Sequence, residues 1–121
     1  EQLLADVAGS VGPLPTLVRA APPGMRACGA GTSTATGSAA ADSPSPGAPS
    51  LGVQKAALRS LVQALAQDLA PRGLHCATVT INGVLGTPGF EVDRIADVYA
   101  ELAAETVGQR ELWRTVVPYP G

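Results

Sequence analysis

Leu58, Leu61, Val62, Leu65 and Leu69 recur at i, i+3, i+4, i+7 and i+11. That spacing lines one side of a helix with apolar groups and predicts a core-facing helix over residues 52–70. Ser50 stands near its start as a capping hydroxyl. Pro71-Arg72-Gly73 ends it by removing a donor and permitting a turn. The next eight residues, LHCATVTI, are β-favouring and lie between Gly73 and Asn82-Gly83, which predicts a strand over 74–81. Beyond a loop at 83–89, Ile95, Val98, Tyr99 and Leu102 share one face of a helix over 93–104, and ELWRTVV at 111–117 reads as a last strand.

The first third of the chain is less regular. Leu3, Leu4, Val7 and Val11 keep helical spacing, Gly12-Pro13 and Pro15 interrupt it, and Leu14, Leu17, Val18 and Ala21 resume it up to Pro22-Pro23-Gly24. This pattern predicts a broken helix. GTSTAT at 31–36 predicts a short strand from its threonines, although it lacks the aliphatic residues of a buried parallel strand. SAAADSPSPGAPS at 38–50 is a Ser/Pro/Ala-rich loop. Helix and strand alternating through short turns predict an α/β fold with a parallel sheet and flanking helices.

Composition narrows the function. A chain of 121 residues with 45% hydrophobic content supports one core, hence one domain or part of one over 1–121. Net charge is −2 with 15% charged residues, which gives no basic face for nucleic acid. No apolar run approaches the roughly 18 residues of a membrane span. Cys28 and Cys76 are isolated thiols, no Cys-x-x-Cys pair occurs and no apolar leader is present, so a reducing, cytoplasmic setting is expected. No metal-ligand spacing is evident. The lone His75 has no nucleophile pattern near it and reads as a packed imidazole, with Cys76 beside it as a small buried apolar group.

Lys55-Ala56-Ala57-Leu58-Arg59 with Leu61, followed by LAQDLAPRGLH at 65–75, resembles the short-chain dehydrogenases/reductases. The order of parts agrees: Thr36-Gly37-Ser38 closes a strand, Lys55 opens a helix, and Ile81-Asn82-Gly83-Val84 closes the next strand. The resemblance covers about residues 24–117 and implies a partial Rossmann-like three-layer fold, its carboxyl-terminal half only. It also implies an NAD(P)-dependent oxidoreductase acting on a small carbonyl or alcohol, with NAD or NADP as cofactor and a homodimer formed through the 52–70 helix. Carried over position by position, Ser38 and Lys55 are the catalytic residues, and Lys55, Gly83, Val84 and Thr87 touch the cofactor.

The departures lie where the chemistry is. In such enzymes a tyrosine donates a proton to the carbonyl while the nicotinamide delivers hydride, and a lysine one turn away lowers the phenol's pKa from about 10. Four residues before Lys55 stands Leu51, which has no proton to give. Ser38 lies 13 residues before Leu51, the family's interval, and its hydroxyl is able to polarise a carbonyl. Asn82 is the only asparagine and does not match the family's helical one. The glycine-rich turn for the pyrophosphate has no counterpart, and Gly29-Ala30-Gly31 is assigned to a turn. Nothing in the spacing of Tyr99 or Tyr119 places either phenol beside Lys55.

Three readings follow, in order of preference. The chain is the carboxyl-terminal part of an oxidoreductase, inactive in isolation, whose Glu1 start points to residues upstream. Alternatively it is a degenerate, non-catalytic relative that serves as a dimerising scaffold, or an unrelated small α/β binding module.

Overall fold

A computed structural model describes residues 31–43 and 45–121. The broken helix expected over the first 24 residues, and Cys28, lie outside the described residues. Three parallel strands form one sheet in the order β1 (Gly31–Ser38), β2 (Leu74–Ile81), β3 (Val116–Tyr119). Helix α1 (Pro49–Leu69) joins β1 to β2, and α2 (Val92–Glu105) joins β2 to β3. The fold is α/β, with the parallel sheet and flanking helices that the sequence predicts.

β2 is buried at all eight positions because it is central in the sheet and covered on both faces. Leu74 and Cys76 pack with Leu58, Val62 and Leu69 of α1. The alternate set, Ala77, Val79 and Ile81, packs with Ile95 and Leu102 of α2 and with Val117. The period of two along β2 thus divides the interior into two cores, one per face.

Both steps, β1 to β2 and β2 to β3, run the same way across the sheet, yet their helices lie on opposite faces. The two crossovers are therefore of opposite hand, and one departs from the right-handed rule that holds for about 98% of such connections. The reason is visible in where α2 lies. It reaches back over the first strand, with Tyr99 bonded to Thr36 and Thr106, just past the helix, bonded to Thr32. A second helix on the α1 face would have left this side of a three-stranded sheet bare.

Element ends follow local chemistry, with three corrections to the sequence reading. α1 begins at Pro49, where a ring with fixed φ and no N–H suits the first helical position. The N-cap is Ala48 without a side-chain cap, and Ser50 lies inside the first turn, accepting from Gln54 Nε2 at 3.3 Å. The 38–50 segment is shorter as a loop than expected, because Ser38 pairs with Ile81 at the end of β1 and Pro49 and Ser50 begin α1. The last strand begins at Val116, not Glu111, because pairing to β2 starts at Thr78. Arg110–Leu112 forms a 3-10 turn instead, and Trp113 stacks on His75. At the end of α1, Gly73 adopts φ 82°, the left-handed conformation that lets the chain reverse directly into β2.

Facing α1, the Thr78 hydroxyl is buried and has no hydrogen-bond partner among the described residues. Gly37 makes room for it, since a Cβ there would stand 3.0 Å from Thr78 Oγ1. Thr78→Val keeps the shape and removes an unmet polar group. It is expected to raise the unfolding free energy by about 1 kcal/mol in urea titration. A loss of that size would instead show that the hydroxyl is satisfied.

Candidate functional site

Parallel strands bring their carboxyl ends to one edge, where open α/β sheets commonly bind ligands. Ser38, the last residue of β1, is in register with Ile81, the last of β2, so the loops that follow emerge side by side. α1 starts over the same edge. The fold thereby gathers all the residues carried over from the resemblance, Ser38, Lys55, Gly83, Val84 and Thr87, at one end of the sheet.

Their individual settings differ. Ser38 Oγ accepts from the Ala40 N–H at 3.1 Å and caps the short turn Ala39–Ala41, which leaves its own O–H to donate. Lys55 Nζ donates to the Thr36 carbonyl at 3.2 Å, two residues before Ser38. Leu51, one turn earlier on α1, is 40% exposed, so an isobutyl group projects at the position where the resemblance led to the expectation of a proton donor. The 83–90 loop is held by its own bonds: Gly86 N–H to Phe90 O at 2.9 Å, Phe90 N–H to Thr87 O at 2.8 Å, and Thr87 Oγ1 to Val84 O at 2.6 Å. Thr87 therefore donates within the loop, while Val84 is exposed. Gly83 is required there because a Cβ would run into the Phe90 ring, which packs edge-on against Tyr119 at 5.7 Å.

The structure also supplies a phenol that the sequence reading did not place. Tyr99, on the α2 stripe, meets Thr36 Oγ1 with its hydroxyl at 2.6 Å, and Thr36 is the residue whose carbonyl holds Lys55. Phenol and ammonium thus converge on one strand residue from two helices. The only sequence signal was a tyrosine on an otherwise aliphatic helix face. A cavity of about 220 Å³ opens beside Thr36 and Tyr99, lined further by Ile81, Leu85, Val92, Ile95 and Ala96.

Electrostatics fix the loop above the site. Arg59 holds Asp42 in a two-pronged pair at 2.6 and 3.0 Å and also reaches Thr80 Oγ1 at 3.3 Å, tying the β1–α1 loop to helix and sheet. The Arg59 hydrogen bond keeps the Asp42 carboxyl below its ordinary value of 3.8. Burial pushes Glu105 upward, but its bonds from Arg114 outweigh that and leave it below 4.5. Carboxyls depressed in the folded state stabilise it above their unfolded values, and that contribution is lost as pH falls through the folded ones. The unfolding midpoint is therefore expected to drop below about pH 4, and Asp42→Asn to flatten part of the drop; an unchanged profile would remove the pair from the account. Cys76, 2% exposed, has its thiol pushed up to about 11 by burial, so it is inert as a nucleophile near neutrality.

Among the described residues no cluster of three His, Cys, Asp or Glu is placed to hold a metal ion, and no helix is long and apolar enough to cross a membrane. The three-stranded parallel sheet with its two covering helices matches part of the fold of solved short-chain oxidoreductases. The chain is similar to a metagenomic short-chain oxidoreductase solved in complex with NADP: 23% identity, TM-score 0.73, over 95% of this chain and 50% of that one. It is also similar to a short-chain dehydrogenase from Rhodopseudomonas palustris, at 24% identity and TM-score 0.59 over 80% of this chain and 41% of that one. The chain thus spans about half the length of the solved structures it matches. No protein-family model and no curated protein matches the sequence.

Proposed function

We propose that this chain is the carboxyl-terminal part of a short-chain-dehydrogenase-type NAD(P)-dependent oxidoreductase of the cytoplasm, and that it does not transfer hydride alone. One observation carries the reading. Lys55 sits at the carboxyl edge of the sheet against β1, while the position one turn earlier, where the proton donor belongs, is the exposed Leu51. The scaffold of the chemistry is kept without its acid.

In this reading Ser38 polarises a substrate carbonyl through its free O–H, and Lys55 turns from the Thr36 carbonyl to a ribose hydroxyl of the cofactor. The cofactor, when bound, supplies hydride. The described residues fit only its nicotinamide end: Lys55 offers a cationic donor, and Gly83, Val84 and Thr87 offer a short exposed loop. None of them forms a glycine-rich turn at a helix amino terminus for the pyrophosphate. Tight dinucleotide binding accordingly needs protein beyond these residues.

Leu51 also favours a second reading, a non-catalytic relative whose long helix dimerises. Gln63, Ala66 and Gln67 near the end of α1 line an open depression together with Ala70 and Thr115, and this reading has a second α1 packing there. The two readings separate in isothermal titration with NADPH and NADH, applied to the 121-residue chain and to any longer product of its reading frame. Binding by the longer product alone is the expected result. Ketone reduction by the 121-residue chain itself would overturn the claim of inactivity. Absence of binding by both, with a dimer in light scattering, would leave the scaffold.

A further inference from the structure

We propose that the small cavity at the amino end of β2, between the end of α1 and the segment leading into β3, binds a short carboxylate, held by the Trp113 indole N–H and the Arg110 guanidinium. The cavity lies at the opposite end of the sheet from Ser38 and Lys55, and the proposal does not rest on the oxidoreductase reading.

Trp113 Nε1 is buried and has no hydrogen-bond partner among the described residues. An indole N–H only donates, and a buried donor without an acceptor is costly enough that folded proteins satisfy nearly all of them. The ring against which Trp113 stacks offers no acceptor, because His75 spends one nitrogen on the Thr106 hydroxyl and the other on the Arg114 carbonyl. Arg110 lines the same cavity, and its guanidinium has no ion pair among the described residues. The carboxylates that reach this segment, Glu101 and Glu105, are held by Arg114.

The unmet groups select the ligand. Arg110 and Trp113 bring only donors, Thr115 adds a hydroxyl, and no lining residue carries a carboxylate. A neutral carbonyl would satisfy the indole and leave the cation unmatched, whereas a planar carboxylate takes a guanidinium through two parallel bonds. Ala66, Ala70 and Leu74 form the apolar walls, which suit a short alkyl end and offer nothing to the further oxygens of a phosphate. The cavity measures about 80 Å³. One water needs roughly 10–15 Å³ and benzene fills an engineered cavity of about 150 Å³, so the space suits an acid of about two or three carbons.

Trp113 is the single tryptophan of the chain, so its indole N–H signal in nitrogen–proton NMR reports this site alone. The test titrates the 121-residue chain with acetate, acetamide and benzoate. Acetate is expected to shift the indole signal saturably. Acetamide, nearly the same shape without the charge, and benzoate, too large for the cavity, are expected to leave it in place. Arg110→Gln, at an exposed position, is expected to weaken acetate roughly tenfold through loss of the charge-assisted pair. Ala70→Leu, which fills the cavity, is expected to abolish the shift, with far-ultraviolet circular dichroism confirming that it folds. Equal shifts by acetate and acetamide, a response that never saturates, or unchanged acetate affinity in Arg110→Gln would overturn the proposal. In a longer product that binds NADPH, saturating acetate is expected to leave that binding unchanged. Competition between the two would place acetate at the other end of the sheet and overturn it as well.

Discussion

Leu102→Ala is expected to lower the unfolding free energy by about 2–5 kcal/mol, a large part of the roughly 5–15 kcal/mol that holds a typical domain together. Leu102 is 0% exposed at the centre of the α2 core, among Ala77, Val79, Ile81, Ile95 and Val117. Most of those neighbours belong to a fully buried strand and have little room to move into the space. The cost thus combines lost transfer free energy with a lasting cavity. Urea unfolding followed by circular dichroism measures it. A loss below about 1 kcal/mol would mean that α2 does not close this face of the sheet, and would remove the support under the Tyr99–Thr36 pair as well.

His75→Phe is expected to cost about 2–3 kcal/mol although it keeps a ring of similar shape. The imidazole is 2% exposed and stacks on Trp113 with centroids 4.9 Å apart and planes inclined by 19°. Its Nε2 donates to the Arg114 carbonyl at 2.7 Å, so in the neutral ring Nδ1 accepts from the Thr106 hydroxyl at 3.2 Å. Thr106 in turn meets Thr32 of β1, which makes a chain of four groups from the first strand, past the end of α2, to the segment before β3. Phenylalanine preserves the stack but takes the donor from the part-buried Arg114 carbonyl and one partner from the buried Thr106 hydroxyl, which keeps Thr32 and the Leu102 carbonyl. In a double-mutant cycle with Thr106→Val the losses are expected to be less than additive, because both changes cut the same chain. Full additivity would show that the two residues act separately. The lone histidine is therefore a structural junction, and the reading of it as a packed imidazole describes where it lies.

The acid loss expected for the Asp42–Arg59 and Glu105–Arg114 pairs bears on function through position. Asp42 lies in the β1–α1 loop above Ser38, and Arg59 is one turn beyond Lys55. Protonating Asp42 frees the loop that directly follows the proposed carbonyl-polarising serine at the end of β1. Glu105 and Arg114 fasten the end of α2 to the approach of β3, away from the site. Activity or ligand binding is thus expected to follow the first pair and overall stability both.

Much of the fold was legible because its periods are strong and its boundaries carry chemistry. β2 was placed to the residue, since a left-handed Gly73 on one side and Asn82-Gly83 on the other leave a β-favouring octet no freedom of length. α2 was placed within one residue at each end by its single apolar stripe. The last strand was misplaced for a reason local pattern does not contain. ELWRTVV carries Trp, Thr and two Val that favour a strand, but β3 exists only where it meets Thr78 to Ile81 of β2. Before that point Trp113 stacks on His75, with which it is not neighbouring in sequence. β1 was read two residues short because Gly37 and Ser38 become strand through their partners Thr80 and Ile81.

By itself, then, the sequence determined the element types, the parallel α/β class and the order of motifs ending in Ser38, Lys55 and Gly83, because those depend on periodicity and on glycine and proline at fixed places. It also determined that position 51 is a leucine, which has no proton to give in any fold. The tertiary structure alone decided which face each helix covers, the opposite hands of the two crossovers, and the meeting of Thr36, Lys55 and Tyr99. Lys55 lies 19 residues from Thr36, and Tyr99 lies 63. Groups so far apart in the chain are brought together only by the sheet that orders the strands and by the burial that presses each helix onto its own side.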